Sequence, residues 1–306
     1  MRTDIYFESC GTGNIRAGIW TPAGEPVAVL QILHGIAEHI ERYENFARYL
    51  NQQGILVVAA DHMGHGKSIG SNGIQGYFHG GWFSAVEDAY QLLNATRKQY
   101  PNIPYILFGH SMGSFMARTI LSRHPDSGIA GAIICGTGWQ SNVLLNAAIP
   151  MCNHICKKDG EQNPSLMLQK MMFGGYNKKV EHVRTANDWL TRDSRVVDAY
   201  NADPLCGFPA TAGLYRDMLT GIRYIQKEQS LQAMEKNLPV LFVAGSDDPV
   251  GGYGTGVKLT AKKFEAAGMR DVTCKLYALC RHEILNEINK EEIFEDILDW
   301  IREKIK

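Results

Sequence analysis

Continuous apolar runs separated by stretches of helical period constrain this chain more than any other feature. "VAVLQIL" (27–33), "ILVVAA" (55–60), "YILFG" (105–109), "IAGAIIC" (129–135), "VLFVAG" (240–245) and "VTCKLYA" (272–278) each have the length of one strand. Most lack the polar alternation of a strand with one wet face, so they predict a mainly parallel sheet covered on both sides. The intervening segments supply the cover. Trp82, Val86, Ala89 and Leu93 recur at three and four residues, as do Ile293, Ile297 and Ile301. Ahead of these units, Ile5–Phe7 and Ile15–Trp20 flank "SCGTGN" and predict an antiparallel hairpin.

The alternation stops between Gly138 and Asn237. That stretch offers Trp139, Met167, Met171, Met172, Phe173 and Trp189, then a helical stripe of Leu214, Met218, Ile222 and Ile225. It predicts a mostly helical cap at 138–237, inserted in an α/β core made of 1–137 and 238–306. Material inserted after a strand falls near the carboxyl ends of the sheet, where open α/β sheets bind ligands.

With 31 basic and 32 acidic residues and no long single-sign run, neither nucleic acid nor an anionic membrane surface is an expected partner. No apolar run approaches the ~20 residues of a membrane span, and the opening residues carry no apolar signal core. Seven scattered cysteines predict reduced thiols and a cytoplasmic setting. Cys152 and Cys156 share a helix face without a second ligand pair, so they are expected to be packed thiols.

Within this frame one pentapeptide stands where a strand meets a helix: Gly109-His110-Ser111-Met112-Gly113. G-x-S-x-G acquires chemical meaning in that context, because a tight bend exposes the hydroxyl beside the free N–H groups of a helix start. A serine hydroxyl is a poor nucleophile without a base, and the base needs an orienting acid. His34, His39, His62, His65, His79 and His110 precede or adjoin Ser111, and His124 ends the following helix. His282 differs from these, because it lies just past the last apolar run, in a loop at a strand's carboxyl end. The loop after the preceding run, "GSDDPVGG", offers both Asp247 and Asp248 as the acid. The order Ser, Asp, His is that of α/β-hydrolases. An oxyanion needs two N–H donors. Met112 supplies one candidate, and Ile36, after His34-Gly35 at an expected helix start, supplies the other.

Five segments, "HGIAEHIERY" (34–43), "DHMGHGKS" (61–68), "GHSMGS" (109–114), "GSDDPV" (245–250) and "RHEILNE" (281–287), resemble in order those of the monoglyceride lipase and bacterial lysophospholipase group of serine aminopeptidase-like α/β-hydrolases. The resemblance implies Ser111 as nucleophile, His282 as general base and Asp248, not Asp247, as the acid. It implies an oxyanion hole of the Ile36 and Met112 amides, and loop-ordering roles for Asp61, His65 and Ser68. Ile36 stands where the family carries a small residue, so a narrowed pocket is expected.

The function expected is hydrolysis of carboxylic esters with lipid-like acyl chains, monoacylglycerol or lysophospholipid, through an acyl-enzyme and without cofactor or metal. The alternatives are a short-chain carboxylesterase, an aminopeptidase-like amidase and a non-enzymatic small-molecule binding protein. The amidase would draw on Asp188, Asp193, Asp198 or Asp203 to hold an ammonium group.

Overall fold

The computed structural model describes residues 2–70 and 73–306; Met1, Ser71 and Asn72, inside the bounds of the first core segment, lie outside the described residues. Among the described residues eight strands form one sheet: β1 (Arg2–Glu8), β2 (Asn14–Trp20), β3 (Ala28–Leu33), β4 (Ile55–Ala60), β5 (Tyr105–His110), β6 (Gly131–Cys135), β7 (Val240–Gly245) and β8 (Val272–Tyr277). Their order across the sheet is β1-β2-β4-β3-β5-β6-β7-β8. The β1–β2 and β2–β4 pairs are antiparallel, and every later pair is parallel.

Helices α1 (Glu44–Gln52), α2 (Gly81–Gln99) and α3 (Met112–Arg123) alternate with the first core strands. Between β6 and β7 come α4 (Asn142–Asp159), α5 (Leu166–Phe173), α6 (Ser194–Ala202), α7 (Ala212–Ile225) and α8 (Glu228–Ala233). The chain closes with α9 (Thr255–Ala266) and α10 (Lys290–Lys304). Among the described residues no helix is long and apolar enough to cross a membrane.

Each apolar run divides between two cores because successive side chains point to opposite faces. In β3, Val29 and Leu33 meet the residues of α2 and α3, whereas Leu30 and Ile32 meet those of α1 and α10. The one polar residue of that run, Gln31, donates to the Ala89 carbonyl (2.8 Å) and accepts from the Tyr105 hydroxyl (2.6 Å), so its burial leaves its amide bonded. β8 departs from the expectation of a run buried on both faces. It is an edge strand, and Thr273, Cys274 and Lys275 are exposed.

The sheet positions the site through its order. From β3 the chain moves one way to β4 and then returns to the other side of β3 with β5. The loops leaving β3 and β5 therefore part from adjacent strand ends, which makes the crevice where such sheets bind ligands.

Candidate active site

Ser111 sits at the tip of the turn between β5 and α3, with φ 52° and ψ −119°. A non-glycine residue in that region costs about 1–3 kcal/mol and persists only where its surroundings impose it. Here they do. The Ser111 N–H donates to the Cys135 carbonyl (3.0 Å), and the Ser111 carbonyl accepts from the Ser114 N–H (2.9 Å) and hydroxyl (2.6 Å). The two glycines of the pentapeptide are steric requirements. A Cβ on Gly113 would stand 2.0 Å from the Leu33 carbonyl oxygen, and one on Gly109 would stand 2.3 Å from the Gly113 carbonyl oxygen. Only bare backbone lets α3 lie this close to β3 and β5. Met112 opens α3, so its N–H has no acceptor within the helix.

His282 and Ser111 line one cavity of about 440 Å³, together with Ile36. His282 Nδ1 lies 3.0 Å from Asp248 Oδ1, and both side chains are buried. The pair is in close contact without an aligned hydrogen bond. Asp248 Oδ1 is itself held by the Val250 N–H at 2.8 Å. Asp247 points outward, exposed, and accepts from the Ser246 hydroxyl.

The segment after His34-Gly35 does not begin a helix, contrary to the sequence expectation. Glu38 Oε1 takes the Gly35 N–H at 2.5 Å, and a side chain that captures this amide favours a turn over a helix. Ala37 accordingly adopts φ 54°, and the helical path starts at Ile40, as a 3-10 turn (Ile40–Tyr43) that leads into α1. Asp61 Oδ1 takes the free Ile40 N–H of that start at 2.9 Å. The turn brings Gly35 against the serine elbow, where a Cβ on Gly35 would be 3.2 Å from Ser111 Cβ.

Beneath the cavity lies a charged network that motif reasoning missed. Arg42 reaches Glu283 with both terminal nitrogens, Nη2 at 2.6 Å, and Glu38 Oε2 at 2.9 Å. His110 Nδ1 faces Glu38 Oε1 at 3.2 Å, and its Nε2 faces the His282 carbonyl at 3.4 Å. Burial disfavours charge on His110, but the Glu38 carboxylate outweighs it and raises the pKa. Burial likewise opposes ionisation of Glu38, yet the His110 hydrogen bond and the Arg42 guanidinium hold it well below the usual carboxylate range. Two carboxylates thus share one guanidinium, with the His110 ring beside them 4.6 Å from that of His282. The i,i+4 spacing of Glu38 and Arg42 was a visible signal; their meeting with Glu283 was not.

The remaining histidines fall elsewhere. His34, His62 and His65 form a buried group with ring separations of 4.0–6.3 Å. His34 Nδ1 donates to the Gly35 carbonyl and its Nε2 accepts from the His62 N–H, an arrangement only the neutral ring satisfies. Asp61 and Ser68 order the same loop: Asp61 Oδ2 accepts from Lys67 N–H and Arg16, and the Ser68 hydroxyl accepts from the Arg16 N–H. Burial lowers the pKa of His62 to about 3 and that of His65 to about 4. Because both values are depressed from 6.5, this stability is complete above that pH and is lost as pH falls toward 4 and below. For His65 the loss is on the order of 3 kcal/mol. Melting temperature should therefore drop steeply between pH 6.5 and 4, and less steeply in His65→Gln; an equal slope in the variant contradicts the assignment.

The four aspartates available to an amidase as an ammonium anchor do not line the cavity. Asp188 is taken by the Thr185 hydroxyl and two N–H groups, Asp193 caps α6, Asp198 pairs with Arg184, and Asp203 pairs with His39. The donors to Asp188 and Asp193 lie within four residues, the partner of Asp198 is 14 residues away, and that of Asp203 comes from the core.

The insertion covers the cavity and is tied to both loops of the site. Gly207 N–H and the Tyr200 hydroxyl donate to the Ala37 carbonyl, and Glu283 N–H donates to the Leu190 carbonyl. Trp189 stands 5.1 Å from the His282 ring.

The same fold, at a TM-score of 0.93 and 30% identity, occurs in a highly thermostable carboxyl esterase from Bacillus coagulans in complex with glycerol; the match covers 100% of this chain and 99% of that one. Sheet order, serine elbow and inserted helices together make this protein an α/β-hydrolase. Monoglyceride lipase of Homo sapiens is 30% identical over 289 residues, 93% of this chain and 86% of that protein. Monoacylglycerol lipase of Mycolicibacterium smegmatis is 28% identical over 306 residues, 98% and 97% of the two chains. Residues 24–289 match the family described as serine aminopeptidase, S33, and the chain belongs to that family.

Proposed function

We propose that the protein hydrolyses carboxylic esters of lipid-like acyl chains, a monoacylglycerol or lysophospholipid, with Ser111, His282 and Asp248 as a catalytic triad. Ser111 Oγ attacks the acyl carbonyl as His282 Nε2 takes its proton. The amides of Ile36 and Met112 receive the oxyanion, each worth about 3–4 kcal/mol of transition-state stabilisation. His282 returns the proton to the leaving alcohol, and the acyl group stays on Ser111. A water, deprotonated by His282, then cleaves that ester. Asp248 holds the imidazole in its useful tautomer and stabilises the imidazolium. The observation that carries this reading is the opening of the strained Ser111 and of His282, backed by Asp248 at 3.0 Å, into one cavity.

Substrate class follows from the walls. Leu166 and Phe173 of α5, with Trp189, Leu190 and Phe208, give the insertion's side of the cavity an apolar lining. Burying acyl methylenes there is worth about 0.8 kcal/mol each, roughly a factor of four. With p-nitrophenyl esters of increasing chain length, kcat/KM should climb by a few-fold per methylene beyond butyrate until the cavity is filled. Activity confined to acetate and butyrate would overturn the lipid-like reading in favour of a short-ester enzyme, with Ile36 as the narrowing residue. Turnover of aminoacyl amides alone would move the assignment to an amidase. Free cysteines throughout support a cytoplasmic setting.

A further inference from the structure

At the seam between the insertion and the loop that follows β3, three metal-ligating side chains converge. His39 comes from that loop, and Asp203 and Cys206 come from the turn after α6. His39 Nε2 lies 2.8 Å from Asp203 Oδ2, and all three ligand atoms, with Cys206 Sγ, fall within 4.8 Å of one another. We propose that His39, Asp203 and Cys206 form a binding site for a thiophilic divalent cation, Zn²⁺ in the first instance, that fastens the insertion to the loop carrying Ile36.

The donor set is one imidazole, one carboxylate and one thiol, the combination that suits zinc, and it leaves a fourth position for water. Zinc–ligand bonds of about 2.0–2.3 Å set tetrahedral ligand atoms roughly 3.3–3.7 Å apart. The His39–Asp203 contact must therefore open by about half an ångström while the thiol closes in. Both movements are side-chain rotations. His39 and Cys206 are buried, whereas a third of the Asp203 side chain is exposed, which gives the ion a way in.

The surroundings are built for it. Asp203 Oδ1 accepts from Leu205 N–H at 2.8 Å, and the Cys206 N–H donates to the Asp203 carbonyl at 3.0 Å, so the turn holds two ligands in register. Asp203, Glu38 and Glu283 stand near the thiol against the single positive charge of Arg42, a net negative setting that favours a cation. On binding, Cys206 gives its S–H proton to solvent and its thiolate electron pair to the metal. His39 gives the Nε2 lone pair, its ring proton residing on Nδ1 or released to solvent.

The consequence is mechanical. Gly207 and Tyr200 already bond the Ala37 carbonyl from this side of the insertion. An ion two residues further along the loop adds a coordinate link to those hydrogen bonds.

Co²⁺ titration of the chelator-treated protein reads the site directly, without reference to turnover. One Co²⁺ per chain should bind, with a near-ultraviolet thiolate-to-metal charge-transfer band that Cys206→Ser abolishes and Cys152→Ser retains. His39→Gln should weaken binding at least tenfold, and saturating Zn²⁺ should raise the melting temperature of the parent protein but not of Cys206→Ser. No saturable binding, or a band that survives in Cys206→Ser, overturns the proposal. If Cys206→Ser does not fold, unchanged affinity in His39→Gln overturns it equally.

Discussion

Ser111→Ala should lower kcat for ester hydrolysis by a factor on the order of 10⁶, the loss expected when a triad acts as a unit. In the proposed mechanism the substitution removes the atom that bonds the acyl group, and it leaves the elbow standing. Ser111 is held by its backbone, through Cys135 and Ser114, and alanine makes the same bonds at the same φ. Unfolding stability should accordingly change by less than about 1 kcal/mol. Steady-state kinetics with a long-chain p-nitrophenyl ester, alongside labelling by a fluorophosphonate, measures both claims. Turnover unchanged in the variant removes Ser111 from the mechanism. A parent protein that neither turns over ester nor takes the label points to a binding role on a hydrolase fold.

The second large effect separates two adjacent carboxylates. Asp248→Asn should reduce kcat by roughly 10⁴, because an amide in place of the carboxylate favours the wrong imidazole tautomer and no longer offsets the imidazolium. Asp248 is fully buried, 3.0 Å from His282 Nδ1, and bonded by Val250. Asp247→Asn should change the rate by less than about threefold, since that side chain is exposed and reaches only the neighbouring Ser246 hydroxyl. Rates for the two variants under one set of conditions decide between them. Equal losses would mean that the turn as a whole, and not one carboxylate, orients His282.

Much of the architecture was legible before any coordinates. Each of the six apolar runs contains a strand, and the hairpin flanking "SCGTGN" pairs antiparallel as its pattern predicts. The stretch 138–237 carries α4 to α8. The expectation failed where a nearby side chain captured a backbone amide. Gly35 lost the helix start to the Glu38 carboxylate, and the helical path begins only at Ile40, a competition that hydrophobic periodicity does not register. The cap aspartates are capping or paired residues, and what the sequence did not display was the long-range partner of Asp203, His39.

Sequence by itself determined what depends on local period and backbone sterics: strands from unbroken apolar runs, helices from 3.6-residue repeats, and a sharp bend where only glycine allows α3 to approach β3. It also carried the chain order of Ser111, Asp248 and His282, which the family motifs share. Tertiary structure alone decided which loops face each other. Placing β3 between β4 and β5 sets Ile36 beside Ser111. Folding the insertion back over the sheet brings Tyr200 and Gly207 to Ala37, and Asp203 to His39. Arg42 meets Glu283 across 241 positions of chain. Such contacts depend on strand order and on the path of a long connection, and neither leaves a periodic trace in the residues that make them.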